Sequence, residues 1–127
     1  MMRKILNLMT SYYNLQGIDF MGFKMGKHNP YTFHHLKKKC DGGTETIKNG
    51  AILTKNSHQY LHIIESRDIE IYNQINNVLK QINEQGFAPL ERQLLAIDYI
   101  LRIFENEHFN EKTSNGKVLI RREFLKR

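Results

Sequence analysis

YTFHHLKKKCDGGTETIKNGAILTKNSHQYLHIIE, residues 31–65, holds His34, His35, His58 and His62, four of the six histidines in the chain. Tyr31-Thr32-Phe33-His34-His35-Leu36 alternates as a β-strand does, and successive side chains of a strand project to opposite faces. His34 and His35 are therefore expected to do different jobs. Further on, the cap-like pair Asn56-Ser57 opens a segment with Tyr60, Leu61, Ile63 and Ile64, which predicts a helix. His58 and His62 lie four apart and share one face of that helix. Two imidazoles at this spacing form a ready pair of metal ligands, and one histidine from a neighbouring strand completes a three-histidine site with an open fourth position. An open position marks a catalytic ion rather than a structural one.

Five features in order carry a resemblance: the pair His34-His35, the glycine turn Asp41-Gly42-Gly43, Asn49, the apolar run Ala51-Ile52-Leu53, and His58-Gln59-Tyr60-Leu61-His62. Together they resemble the ββα-metal motif of the HNH endonuclease family, in the histidine-only version found in nuclease colicins. The resemblance implies that His34, His58 and His62 bind one divalent metal ion, Zn²⁺ or in cells Mg²⁺ or Mn²⁺. It implies that His35 is the general base and that Asn49 braces the loop aiming it. The implied reaction is hydrolysis of a DNA phosphodiester bond to 5′-phosphate and 3′-hydroxyl ends. Two departures stand out. Cys40 is the single cysteine, so the paired cysteines of a second, structural zinc site are absent. Thr32 stands near where nuclease colicins place a glutamate that supports a phosphate-contacting arginine.

Charge agrees with a polyanionic partner. Residues 24–55 contain seven lysines against Asp41 and Glu45, a net +5, and residues 110–127 contain six basic residues against Glu111 and Glu123, a net +4. Residues 65–107 carry eight acids against four bases, a net −4. Lys37, Lys38, Lys39, Arg121 and Arg122 are the expected nucleic-acid contacts, with DNA the expected partner. One cysteine excludes an internal disulfide and fits the cytoplasm, including that of a host of a phage or mobile element. No run approaches the roughly 18 to 20 apolar residues needed to span a bilayer, so no membrane partner is expected. The N-terminal segment is also not expected to be a signal peptide.

Working outward, Ile5, Leu8, Met9, Tyr12 and Leu15 predict an N-terminal helix stopped at Gly17. Residues 20–30, broken by Gly22, Gly26 and Asn29-Pro30, predict a loop or short strand in which His28 is a solvated histidine. A second strand is expected near 51–54. Thr44 to Gly50 is expected to loop over the site, with Asn49-Gly50 as a turn signature. Ile69, Tyr72, Ile75, Val78, Leu79 and Ile82 mark a helix ending at Gly86; Pro89 opens another with Leu90, Leu94, Ile97, Leu101 and Phe104 inward. These two should form an antiparallel hairpin, which is also a candidate surface for a protein partner or a homodimer. Val118-Leu119-Ile120 fits either a strand or a basic arm.

The expected fold is therefore α+β: one domain over 1–127, with a hairpin-and-helix metal motif at 30–65, a helical hairpin at 66–108 and a basic tail at 110–127. The alternative is a catalytically silent, metal-stabilised nucleic-acid-binding module. A zinc hydrolase of small substrates and a purely structural helical scaffold are further alternatives.

Overall fold

The computed structural model describes residues 2–108, and its side chains from Lys4 onward. The expectations for residues 109–127, among them Arg121, Arg122 and Val118-Leu119-Ile120, lie outside the described residues. The fold is α+β. Helix α1 (Met2–Tyr13) leads through a compact loop to β1 (Tyr31–His35), β2 (Gly50–Thr54) and α2 (Lys55–Arg67), followed by α3 (Ile69–Gln85) and α4 (Glu91–His108). The two strands pair antiparallel, with His34 opposite Ala51 and His35 opposite Gly50. Every residue of β2 is buried, so this short strand runs through the core. Among the described residues no helix is long and apolar enough to cross a membrane.

Several boundaries differ from expectation for local reasons. Helix α1 ends before Gly17 because Asn14 and Gln16 already take left-handed backbone angles, φ 54° and 55°. Its inward face is Met9 and Tyr13, with Ile5 and Leu6 packed beside them, whereas Leu8 and Tyr12 are exposed. The cap of α2 is Thr54, whose hydroxyl accepts from the Ser57 amide, so the helix starts one residue before Asn56. Asn49-Gly50 completes a turn, as expected: residues Ile47–Asn49 form a single 3₁₀ turn and the Gly50 amide donates to the Ile47 carbonyl. Gly50 is extended (φ −113°, ψ 147°) and begins β2, and a Cβ there would sit 2.5 Å from the Phe33 ring and 2.9 Å from the Met9 sulfur. The glycine serves close packing. In α3, Ile69 is exposed and Ile71 joins Tyr72, Ile75, Leu79 and Ile82 in the core. Gly86 closes α3 with φ 80°, as the sequence suggests.

The loop between α1 and β1 is core rather than surface: Phe20, Met21 and Phe23 are fully buried. Its anchor is Asp19, also fully buried. One carboxylate oxygen accepts from the amides of Met21 (2.8 Å) and Phe23 (2.9 Å), the other from the amide of Thr54 (2.7 Å) and the hydroxyl of Ser57 (2.6 Å). Burial pushes this carboxyl upward in pKa and the hydrogen bonds hold it back. One side chain thus ties the loop to the junction of β2 and α2.

Asp19→Asn exchanges one acceptor for a donor facing groups that can only donate or already do, leaving buried amides unmatched. The expected loss of stability is on the order of 2 to 4 kcal/mol by urea denaturation. An unchanged midpoint would show that these four bonds contribute nothing net.

Candidate metal and phosphodiester site

The site forms where the end of β1 meets the first two turns of α2. Strand alternation sends Thr32 and His34 to one face and Phe33 and His35 to the other. The His34 ring meets the His58 ring edge to face at 5.4 Å between centroids, and His58 stacks on His62 at 4.9 Å. All four histidines line one cleft of about 310 Å³, together with Phe33, Lys38, Lys39, Glu65 and Tyr72. Each sequence-predicted histidine of the motif is therefore in the same cleft. His28 is elsewhere.

His34 is buried, and its Nε2 lies 2.8 Å from the Asn76 side-chain oxygen on α3. His58 is half-buried, with Nδ1 2.8 Å from the Thr32 hydroxyl. Each ring keeps its other nitrogen out of these bonds. Desolvation pushes the pKa of both down to about 4, with the neighbouring imidazoles adding to the shift. Both rings are consequently uncharged at neutral pH, the state a metal ligand needs. His62 is exposed, its Nδ1 3.6 Å from a Glu65 oxygen. Two neutral, supported imidazoles and a third on the open rim have the donor chemistry of a divalent-ion site. His62 stands outward here: the trio is not drawn together as a closed cluster. The described group whose donor atoms all lie within 4.8 Å of one another is instead Asp68, Glu107 and His108. There Asp68 caps α3 by accepting from the Ile71 amide and bonds His108 Nε2 at 3.1 Å, which makes it a clamp between the start of α3 and the end of α4.

His35 differs in kind from His34. Its ring packs edge-on against Phe33 at 4.9 Å, and its Nε2 is enclosed without a hydrogen-bond partner among the described residues. A buried, unmatched ring nitrogen beside the cleft is costly unless some other molecule completes it. Asn49 holds the chain that follows. Its side-chain oxygen accepts from the Lys37 amide at 2.8 Å, its amide donates to the carbonyls of Lys37 and Thr44 at 2.9 Å each, and its own carbonyl accepts from the Leu36 amide at 2.9 Å. Asn49 thus ties residues 36 and 37 to the loop at Thr44. Gly43 makes the loop possible, since a Cβ there would fall 1.8 Å from the Lys37 carbonyl oxygen.

Lys37, Lys38 and Lys39 are exposed, and Lys38 and Lys39 line the cleft. Lys38 is ion-paired with Glu65, which holds that carboxyl below its ordinary range despite partial burial, and Lys39 faces Glu45 at 3.8 Å. Glu65 was not anticipated from sequence, although its position three residues after His62 and seven after His58 puts it on the same helical face. Asn76 was also missed. An asparagine within an amphipathic stripe gives no sign of its partner 42 residues away.

Compared with protein-family models, curated proteins and solved structures, the chain matches none. The functional reading rests on the site itself.

A histidine whose folded pKa is depressed refuses a proton that the unfolded chain accepts near its ordinary 6.5. Stability of the metal-free protein should thus be constant above about pH 6.5 and fall as pH drops from 6.5 towards 4. The loss from His34 is on the order of 3 kcal/mol, from about 1.36 kcal/mol per unit. The more exposed His58 should add less. Melting temperature across this window in the presence of chelator measures it; a flat profile would mean the two rings are freely hydrated.

Proposed function

We propose that the chain is a metal-dependent endonuclease of HNH type, with β1, β2 and α2 as its ββα-metal motif, cutting DNA to 5′-phosphate and 3′-hydroxyl ends. The observation that carries this reading is the gathering of His34, His35, His58 and His62 into one cleft while Asn49 pins the backbone directly after His35. Histidines scattered for solubility or core filling have no reason to converge so, nor to have a bracing asparagine at the loop between their strands.

His34, His58 and His62 would hold the ion. When bound, it supplies positive charge beside the scissile phosphate, stabilising the charge that develops in the transition state and on the departing oxygen. His35, outside the ligand set, takes a proton from water as the water oxygen bonds to phosphorus and the bond from phosphorus to the 3′ oxygen breaks. His35 lines the same cleft as the three proposed ligands, which supports a role beside the ion rather than on it. Asn49 keeps this ring in register by fixing residues 36–37. A second cleft of about 440 Å³ adjoins the first, sharing Lys38, Glu65 and Tyr72 and adding Lys37, and offers a path for the phosphate backbone. The silent-module alternative makes the same metal and backbone contacts but leaves His35 without a role.

Two measurements test this. Incubated with supercoiled plasmid and a divalent ion, the full chain should nick DNA. His35→Ala should lose at least about 100-fold in rate while keeping fold and bound metal, since general-base catalysis contributes roughly 10²- to 10⁴-fold. His58→Ala and His62→Ala should lose metal and melt lower together. Metal loss in His35→Ala would mean the roles of the adjacent histidines are exchanged, and an inert wild type would leave the silent module.

Binding of the His35→Ala protein to a short duplex should weaken with salt. Neutralising Lys37 should lower the log–log slope by roughly one, since each lost phosphate contact withholds about one released counterion. Lys38→Gln should change it less, because Glu65 already engages that ammonium. Equal effects would show that DNA breaks the Lys38–Glu65 pair.

A further inference from the structure

We infer that Asn76 and Thr32 are positioning residues that decide which nitrogen each of two ligands presents: Nδ1 of His34 and Nε2 of His58. This deepens the proposed metal site and rests on it. The direction of each hydrogen bond follows from counting protons. The Asn76 amide nitrogen donates to the Leu36 carbonyl at 2.9 Å, which fixes the amide's orientation, because a carbonyl oxygen only accepts. The Asn76 oxygen therefore faces His34 Nε2 at 2.8 Å, and it too only accepts. The proton in that bond must sit on Nε2. In a neutral ring this leaves the lone pair on Nδ1.

Thr32 imposes the opposite tautomer on His58. Its hydroxyl has one proton, donated to the Leu53 carbonyl at 2.8 Å. Towards His58 Nδ1, 2.8 Å away, the hydroxyl oxygen can then only accept, so Nδ1 carries the proton and Nε2 is bare. The two rings meet edge to face at 5.4 Å between centroids and line one cleft. Each support also has an anchor of its own: Asn76 is tied to Leu36 at the end of β1, and Thr32 to its partner strand. A ligand whose second nitrogen is held this way loses neither orientation nor tautomer between metal-binding events, and removing such support typically costs 10- to 100-fold in affinity. Thr32, near the position where a phosphate-supporting glutamate is expected from the resemblance, has a different task in this chain.

The first test needs no variant. Two-bond ¹⁵N–¹H correlation spectra of the metal-free full chain at pH 7, with histidines assigned, should show His34 protonated at Nε2 and His58 at Nδ1. The reverse pattern at either ring overturns the inference. The second uses Co²⁺ as a spectroscopic probe. Relative to wild type, Thr32→Val and Asn76→Leu should each weaken Co²⁺ binding about 10- to 100-fold, while Thr32→Ser, which keeps the hydroxyl, should restore it. Circular dichroism confirms that the variants compared are folded. Wild-type affinity in both folded variants overturns the positioning role and leaves the metal site standing. A wild-type chain that binds no Co²⁺ overturns the metal site itself, and this role with it.

Discussion

Adjacent histidines can serve different purposes only while the strand that carries them stays in register, because side chains alternate faces with a period of two and a slip of one residue exchanges them. In this protein β1 is five residues long and, among the described residues, has a single partner strand, so backbone pairing alone would hold it weakly. The register is reinforced at both ends. At one end Lys55 donates to the Pro30 carbonyl, and the Asp19 carboxylate receives Thr54 and Ser57. At the other, Asn49 grips Leu36 and Lys37. Gly50, opposite His35, gives the Phe33 ring and the Met9 sulfur the space that a side chain would take. A shifted pairing would place a larger residue there. The site inherits its precision from these fixtures.

Helix α3 adds a polar edge to an apolar element. On or beside its buried stripe, Asn76 bonds His34 and Leu36, and Asn83 donates to the carbonyls of Ile47 and Gly50 at 2.6 Å each. Seven residues separate the two asparagines, two helical turns, so they meet the two strands along one side. The Tyr13 hydroxyl donates to the Asn83 carbonyl, carrying the brace on to α1. Core leucines could have filled these positions, but they would have left the strand-end carbonyls without donors, which is costly in a buried setting. Polar residues inside the packing therefore connect the motif to the rest of the fold, and they explain why a small hairpin and one helix can form a defined cleft.

Charge around the cleft is balanced rather than simply positive. Lys38 and Lys39 face Glu65 and Glu45, and Glu65 also approaches His62. Glu65 thus stands between an ammonium and an imidazole on the rim. His62, exposed and stacked on His58, is the member of the histidine set with most freedom to turn. Rigidity is thus graded across the site, from His34 in the interior to His62 at the surface.

The order of elements was legible in the chain because local rules govern it. Alternation around His34-His35, the i, i+4 spacing of His58 and His62, the glycines at the loop and Gly86 at the end of α3 each need only a few neighbouring residues to be read. The histidines and Asn49 stood out because their residue types and spacing have few other uses. One local reading failed where packing overrode it: Ile69 fits the apolar period yet lies outside the core. Glu65 had a signal in its helical spacing from His58 and His62 that went unused, whereas the roles of Asp19, Thr32 and Asn76 had none. Their meaning lies in partners brought close by folding, 35 residues away for Asp19 and Thr54, 26 for Thr32 and His58, 42 for Asn76 and His34. Sequence alone determined which side chains were available for chemistry and in what order they would arrive. Only the tertiary structure decided which nitrogen each ring holds back and which it offers, because the direction of a hydrogen bond depends on how many protons its partner has already given elsewhere.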